Sequence, residues 1–429
     1  MKVLKKIGKV LLIIVLVISM VLVVGLNIKT ILASHKNKDV LAAAKTFDDL
    51  TVRDDVEIFG LGEATHGNKE FQEAKLEVLK VLVEKYGYSA IVLEADFGDC
   101  LEANAYIQGA EGDAREIANN MDFTLYHTQE MADLFDWMRE YNASVSEDKH
   151  IRVYGFDMQY PKKGINFLFD YMAKNGIEGI DVSGLKYIIS DEREYPLPEE
   201  KSTQVKSELD EIKKAIEAVK GNSDDFDTVC ALKVIDNTLV NMDYTQANYV
   251  DQYEFRDKEM AKNVSWILDL EKEIGSGKIM LAAHDGHIGK SSQNVMLKTT
   301  MGKELKEKYG DAYYSFGTDF FKSKFNSRVG FSDKIERKNY YVTSADPMAY
   351  QAKYTEDGRY FLDFETLSPE ENKAVYDLVH SDVTMGSVGE GFSGVYYLFH
   401  SAYRIEQPPV DYYDGMMFYY EVSPIAPEE

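Results

Sequence analysis

The apolar run Val56-Glu57-Ile58-Phe59-Gly60-Leu61 passes directly, through Gly62-Glu63-Ala64-Thr65-His66-Gly67, into a helical pattern that begins near Asn68. A short apolar run of this kind reads as a buried strand, and Phe71, Ala74, Val78, Leu79 and Leu82 fall on one face of a helix over 68–86. Gly87 is placed to close that helix in the left-handed conformation. The next run, Ser89-Ala90-Ile91-Val92-Leu93, is continuously apolar and ends at Glu94. Strands that parallel sheets bury on both faces have this composition. Strand, helix and strand together form a βαβ unit. They commit the chain to an α/β fold, a mostly parallel sheet flanked by helices.

The rhythm recurs. Residues 129–141 read as a helix with Met131, Leu134, Phe135 and Met138 inward, and 151–156 as a strand ending at Asp157. Residues 278–283 read as a strand ending at His284, and a further strand near 313–316 leads to Asp319. Three charged amphipathic runs, 207–220, 227–244 and 253–274, intervene. They read as a helical insertion over about 195–275 that caps the sheet or walls a cleft. The tail mixes short strands with aromatic clusters, and 412–420 reads as a turn into a final strand. The main domain is expected over 51–429, with 29–50 as a linker and short helix. No internal repeat is present.

Lys2, Lys5, Lys6 and Lys9 precede a charge-free stretch from Val10 to Ile28. Spanning a bilayer core takes about 20 residues, and secretory signal cores run to about 15. A basic cytoplasmic start over 1–9 and a single-pass transmembrane helix over 10–28 are therefore expected, with the domain outside the cytoplasm. Cleavage at the weak site Leu32-Ala33-Ser34 would instead release it. The formal net charge is −25, and seven of the 48 basic residues lie in the first 38 positions. A body this acidic excludes nucleic acid as a partner. The two cysteines, Cys100 and Cys230, make neither a disulfide framework nor a zinc ribbon. Two free thiols are the simpler expectation, with a bond between them left open. Nothing in the sequence sets the oligomeric state.

Several strands end in ionisable side chains: Glu63 and His66, then Glu94, then Asp157, then His284 with His287 three residues on. In a parallel sheet these ends share one edge, where ligands of open α/β sheets bind. A lone Asp157 is equally a cap for the next helix; the set, with three of only eight histidines, points to a site. His66 titrates near neutral pH and suits a general base. Glu63 or Glu94 would orient its ring, and His284 or His287 could protonate a leaving group. Backbone N–H groups at the helix start near His66 could hold an oxyanion. This combination favours hydrolysis by water over a covalent path.

Other signatures are missing. There is no Gly-x-Ser-x-Gly elbow, no His-Glu-x-x-His helix and no P-loop. Gly389-Glu390-Gly391-Phe392-Ser393-Gly394 has dinucleotide-site spacing but precedes an apolar run, Val395 to Phe399, that reads as a strand, so it is taken as a turn. Glu63, His66, Glu94 and His284 are plausible metal-ligand types. Their spacing identifies no metal, so neither metal nor cofactor is expected. Tyr244, Tyr249 and Tyr253 lie close together in the insertion and are candidates for lining a cleft around a bulky substrate.

The chain resembles the erythromycin esterase family. The resemblance rests on Gly62–Gly67, Phe71, Val92-Leu93-Glu94, Trp137 to Asn142, Tyr154-Gly155-Phe156-Asp157, Arg256-Asp257 with Met260 to Asn263, and Ala283-His284-Asp285-Gly286-His287, in family order. It implies a mixed α/β fold with a helical part enclosing a cleft. It implies hydrolysis of a lactone ester, with His66 activating water and Glu63, Glu94 and His284 supporting it. His287, Asp157, Asp285 and Arg256 are expected to bind substrate. The family's usual arginine nine residues after the signature histidine is Lys75 here, which keeps the charge and loses the planar fork. A small-molecule ester or lactone, not necessarily a macrolide, is the expected substrate. The alternatives are a metal-dependent peptidase with a similar Gly-Glu-x-x-His turn, or a non-catalytic envelope-binding protein.

Overall fold

Continuous apolar runs become buried strands. In a computed structural model that describes residues 27–220, 225–293, 297–332 and 336–428, these are β1 Ile58–Glu63, β2 Ala90–Asp96, β3 Arg152–Asp157, β4 Ile279–His284 and β5 Tyr313–Arg328. The chain continues with β6 Arg337–Thr343, β7 Arg359–Asp363, β8 Val383–Gly386, β9 Arg404–Gln407 and β10 Gly415–Val422. The main sheet has the order β3-β2-β4-β1-β5-β10-β7, with β6 on β5, and β8 pairs β9 apart from it. From β3 to β10 every pairing is parallel, while β7 and β6 are antiparallel additions.

Alternate residues of the central strands feed two cores, one on each face of the sheet. Ile58, Val92 and Leu281 pack on one side. Phe59, Leu61, Ile91 and Met280 pack on the other. The helix Lys69–Tyr86 lies on the second face through buried Phe71, Ala74, Val78, Leu79 and Leu82. Each of the larger side chains among them contributes about 1.5–3 kcal/mol relative to exposure. Gly87 ends that helix with φ 69°.

The insertion comprises helices Glu199–Lys220, Phe226–Gln246 and Tyr249–Ile274. The last does two jobs. Near its C-terminal end Glu271 is fully buried and accepts from Tyr154 and Ser89 hydroxyls, each at 2.6 Å, which ties it to the sheet. Its N-terminal half reaches over the sheet's edge.

The short helix expected within 29–50 is Lys38–Ala43, and the segment packs on the domain: Ala33, Val40 and Leu50 are buried, and Lys45 pairs with Phe361 of β7. Two expectations are corrected. Val395 to Phe399 is not a strand, because Gly394–Leu398 forms a 3-10 helix. The strand from Tyr313 runs much further than Phe316, to Arg328. Cys100 and Cys230 are both free and buried. The expected span at 10–28 lies outside the described residues except for its last two; no described helix is long and apolar enough to cross a membrane.

Candidate functional site

The turn after β1 is shaped by two glycines that admit no side chain. A Cβ on Gly62 would sit 1.8 Å from Asp285 Oδ1, and one on Gly67 would sit 2.0 Å from the Asn326 carbonyl. Asn68 then pins the helix start, donating to the carbonyls of Lys324 at 2.9 Å and Ser423 at 3.0 Å. The turn also pairs with the 387–391 loop, where the Val388 amide donates to the Ala64 carbonyl at 2.8 Å.

Glu63 ends β1 with its carboxylate buried. It accepts from His66 Nδ1 at 2.6 Å and from Lys75 Nζ at 2.5 Å. Lys75 also donates to Gln72 Oε1 at 2.7 Å. Burial opposes ionisation of Glu63, but Lys75 and His66 outweigh it and hold the carboxyl at about 2. Burial likewise opposes the charged form of His66, while the bond to Glu63 and the charges of Glu94, Glu63 and Glu390 raise its pKa overall. A carboxylate can only accept, so Nδ1 carries a proton and Nε2 is the variable nitrogen.

β4 lies beside β1 with Glu63 opposite His284, and the His66 and His284 rings are 4.9 Å apart. His284 nonetheless has no free nitrogen. Its Nδ1 accepts from the Gly286 amide at 3.0 Å and its Nε2 donates to the Val388 carbonyl at 3.2 Å. This network assigns a neutral ring. Burial, followed by the neighbouring His66, drives its pKa down to about 3. His284 is therefore a fixed neutral partner, and the expectation that it could donate a proton is withdrawn.

The opposite wall is charged. Arg256 donates through Nε to Asp157 Oδ1 and Oδ2, each at 3.2 Å. Its Nη2 donates to Asp157 at 2.7 Å and to Glu94 at 2.9 Å. His287 bonds Asp257 through Nδ1 at 2.6 Å and faces Glu94 through Nε2 at 3.3 Å. Burial opposes its charge, but Asp257 and Glu94 prevail and raise it to about 10. The 3.2 Å approach of Arg256 Nη1 to His287 Nε2 is then a contact between two donors, held by the surrounding carboxylates. Burial opposes ionisation of Glu94 as well, yet His287, His66 and Arg256 keep its carboxyl well below the usual range.

These groups surround a cavity of about 400 Å³. His66, Glu94, Arg256, His284 and His287 line it, together with Phe123, Leu125, Tyr244, Tyr253 and Glu390. Tyr244 and Tyr253 come from the insertion as expected; nothing is described of the Tyr249 side chain. Three sequence-predicted residues stand behind the wall. Asp157 is fully buried under Arg256, and Lys75 is buried against Glu63. Asp285 is buried beneath Gly62 and accepts weakly from the Thr318 amide at 3.3 Å, so its expected contact with substrate is corrected. The sequence places Asp257 in a family block beside Arg256 without a role at the site, and Glu390 only in a turn. Among the described residues no group of three or more His, Cys, Asp or Glu is placed to hold a metal ion.

The fold and cavity define a mixed α/β protein with a cavity at the carboxyl edge of a mostly parallel sheet, walled by helices, where open α/β sheets place their ligand sites. The chain belongs to the erythromycin esterase family, whose model matches residues 83–422. That membership makes it hydrolase-like; the match begins after the Gly62–Gly67 turn. An erythromycin esterase type II of Escherichia coli is 24% identical over 298 residues, 61% of this chain and 68% of that protein. A putative hydrolase of Bacillus subtilis is 27% identical over 139 residues, 32% of this chain and 29% of that protein. Among solved structures, a Bacillus cereus protein superposes with a TM-score of 0.74 at 21% identity, covering 93% of this chain and 99% of its own. An erythromycin esterase mutant in its open conformation gives 0.54 at 13% identity, covering 87% and 92%. These superpositions show the fold.

Proposed function

We propose that the chain hydrolyses a carboxylic ester or lactone with water activated by His66. The Glu63–His66 bond carries this reading. It commits Nδ1 to donation and leaves Nε2, on a ring that lines the cavity, to take a proton. Lys75 keeps Glu63 ionised, so the charge that the resemblance expects from an arginine is supplied by an ammonium. This contact supports a working base over a non-catalytic binding protein.

In the proposed reaction, water bonds to the carbonyl carbon while its proton passes to Nε2. The C=O electron pair moves onto oxygen. The tetrahedral intermediate then collapses, the C–O bond to the alcohol breaks, and the departing oxygen takes the proton back from Nε2. Arg256 and His287 supply positive charge on the wall where the oxyanion develops. Phe123, Leu125, Tyr244 and Tyr253 suit a bulky, partly apolar substrate, of which a macrolide is one form.

The test is a panel of macrolide lactones and simple esters assayed with the full chain and with His66→Ala. A lactone should gain one water, and an ester should give acid plus alcohol, only with the unmodified chain. Equal turnover by the variant, or none by either folded protein, contradicts the reading. The same proposal takes residues 10–28 as a single-pass anchor that leaves the domain outside the cytoplasm. Accessibility of the domain to external protease in intact cells checks this, and a protected domain contradicts it.

A further inference from the structure

The chain has 73 acidic residues among 429, yet several segments that meet on one part of the molecule carry none. Residues 27–38, 320–332, 337–345 and 391–405 contain no Asp or Glu. The structure ties them together. Arg404 Nη2 donates to Thr30 Oγ1 at 3.0 Å and to Thr343 Oγ1 at 2.9 Å. The Gly330 amide donates to the Phe392 carbonyl at 2.8 Å, and the Tyr341 amide to the Tyr397 hydroxyl at 3.1 Å.

This face is also apolar where it meets solvent. Ile31, Leu32, Phe331, Val395, Leu398 and Phe399 are all more than half exposed. Phe331 packs its ring 5.8 Å from that of Tyr396, which joins the apolar groups of two segments. Soluble surfaces rarely leave such residues clustered without a partner. Lys324 and Arg328 are exposed alongside them. The carboxylates that approach are already matched: Glu406 by Lys29 at 2.5 Å, Glu421 by Lys322 at 3.7 Å, Glu336 by Lys338 at 3.1 Å, and Glu390 by Arg337.

The apolar, charge-free stretch 10–28 enters the described structure at this same face, through residues 29 and 30 held by Glu406 and Arg404. We propose that the face formed by these segments rests on the surface of an anionic lipid bilayer, with the apolar side chains at the headgroup boundary and the lysines and arginines against lipid phosphates. Apolar and aromatic groups rimmed by basic residues suit that boundary. The acidic remainder of the body would be repelled from it, so the two together set one orientation. The proposal rests on the anchor reading above.

The full chain is reconstituted into vesicles of phosphatidylcholine with phosphatidylglycerol and a nitroxide-bearing lipid. Leu398→Cys and Phe331→Cys carry an environment-sensitive fluorophore, and Val219→Cys, about half exposed on the insertion, is the reference. The natural cysteines are buried, which directs labelling to the introduced thiols. The expected result is loss of fluorescence at 398 and 331 with little at 219, and a weaker loss in phosphatidylcholine alone. Vesicles that carry the chain while all three labels stay equally bright overturn the proposed face and leave the anchor standing. Equal quenching in both lipids overturns its electrostatic part. A chain that does not float with vesicles removes the anchor, and the proposal with it.

Discussion

Replacing Glu63 with Gln tests the linked roles of Glu63, His66 and Lys75. The Glu63 carboxyl is held at about 2, against an ordinary 4.5. At about 1.4 kcal/mol for each tenfold change, that difference is worth about 3 kcal/mol to the folded state. The carboxyl is depressed, so the contribution is complete above about 4.5 and fades as pH falls through about 2. The amide cannot neutralise Lys75, which is only 2% exposed, and an unpaired buried charge costs about 3–5 kcal/mol. Urea unfolding of Glu63→Gln near neutral pH should show a loss of this order. Glu63→Gln combined with Lys75→Met removes the stranded charge and should recover most of it. Activity should not recover. In Glu63→Gln the amide oxygen stays with Lys75 and its N–H faces Nδ1, which moves the ring proton to Nε2; in the double variant the amide still lacks the charge that raises the basicity of the ring, so turnover should fall by about 10²–10⁴ in both proteins. The reasoning is refuted if Glu63→Gln keeps its turnover, or if the double variant is as unstable as the sum of the two single ones.

Other predictions follow from the same geometry. The proposed base, His66, has its pKa raised above 6.5, so the proposal expects turnover to climb with pH through a midpoint above that value; a flat or falling profile counts against it. The His287 cation, raised to about 10, stabilises fully below 6.5 and loses that contribution as pH rises through 10. The stability gap between the unmodified chain and His287→Ala, followed by urea unfolding, should therefore narrow across that range. Gly62→Ala places a methyl 1.8 Å from Asp285 Oδ1 and should cost at least about 1–3 kcal/mol, seen as a lower Tm; an unchanged Tm would show that the turn can move. Arg256→Met strands Asp157 and Glu94 and should cost about 3–5 kcal/mol in urea unfolding; a silent substitution would mean that water reaches these carboxylates.

Much of the sheet was legible because β1 to β4 are continuous apolar runs bounded by glycines and charged residues. β5 was read too short because its pattern changes along its length, from burial on both faces to alternation beyond Phe321, and a single periodicity finds only the first part. The helices Phe97–Ile107 and Lys162–Lys174 have no counterpart in the sequence reading; the first begins directly at the carboxyl end of β2 and the second four residues beyond β3. At the site, the residue types on the sheet's edge were visible and their division of labour was not. His66 and His284 look alike in sequence. A long-range bond to the Val388 carbonyl occupies the second nitrogen of His284, whereas His66 has a short-range bond from Nδ1 to Glu63. Glu390 reaches the cavity only because its loop is laid across the β1 turn, a contact without local signature.

The most direct test of the account is chemical rescue of His66→Ala on whichever ester the full chain turns over best. Glu63 and Lys75 keep each other in that variant, so its fold and urea midpoint should hold while turnover falls by about 10²–10⁴. Added imidazole, small enough for a cavity of about 400 Å³, should restore turnover in proportion to its free-base form. Wild-type turnover in His66→Ala without imidazole would contradict the central claim, and a loss that no small base repairs would make His66 a structural residue.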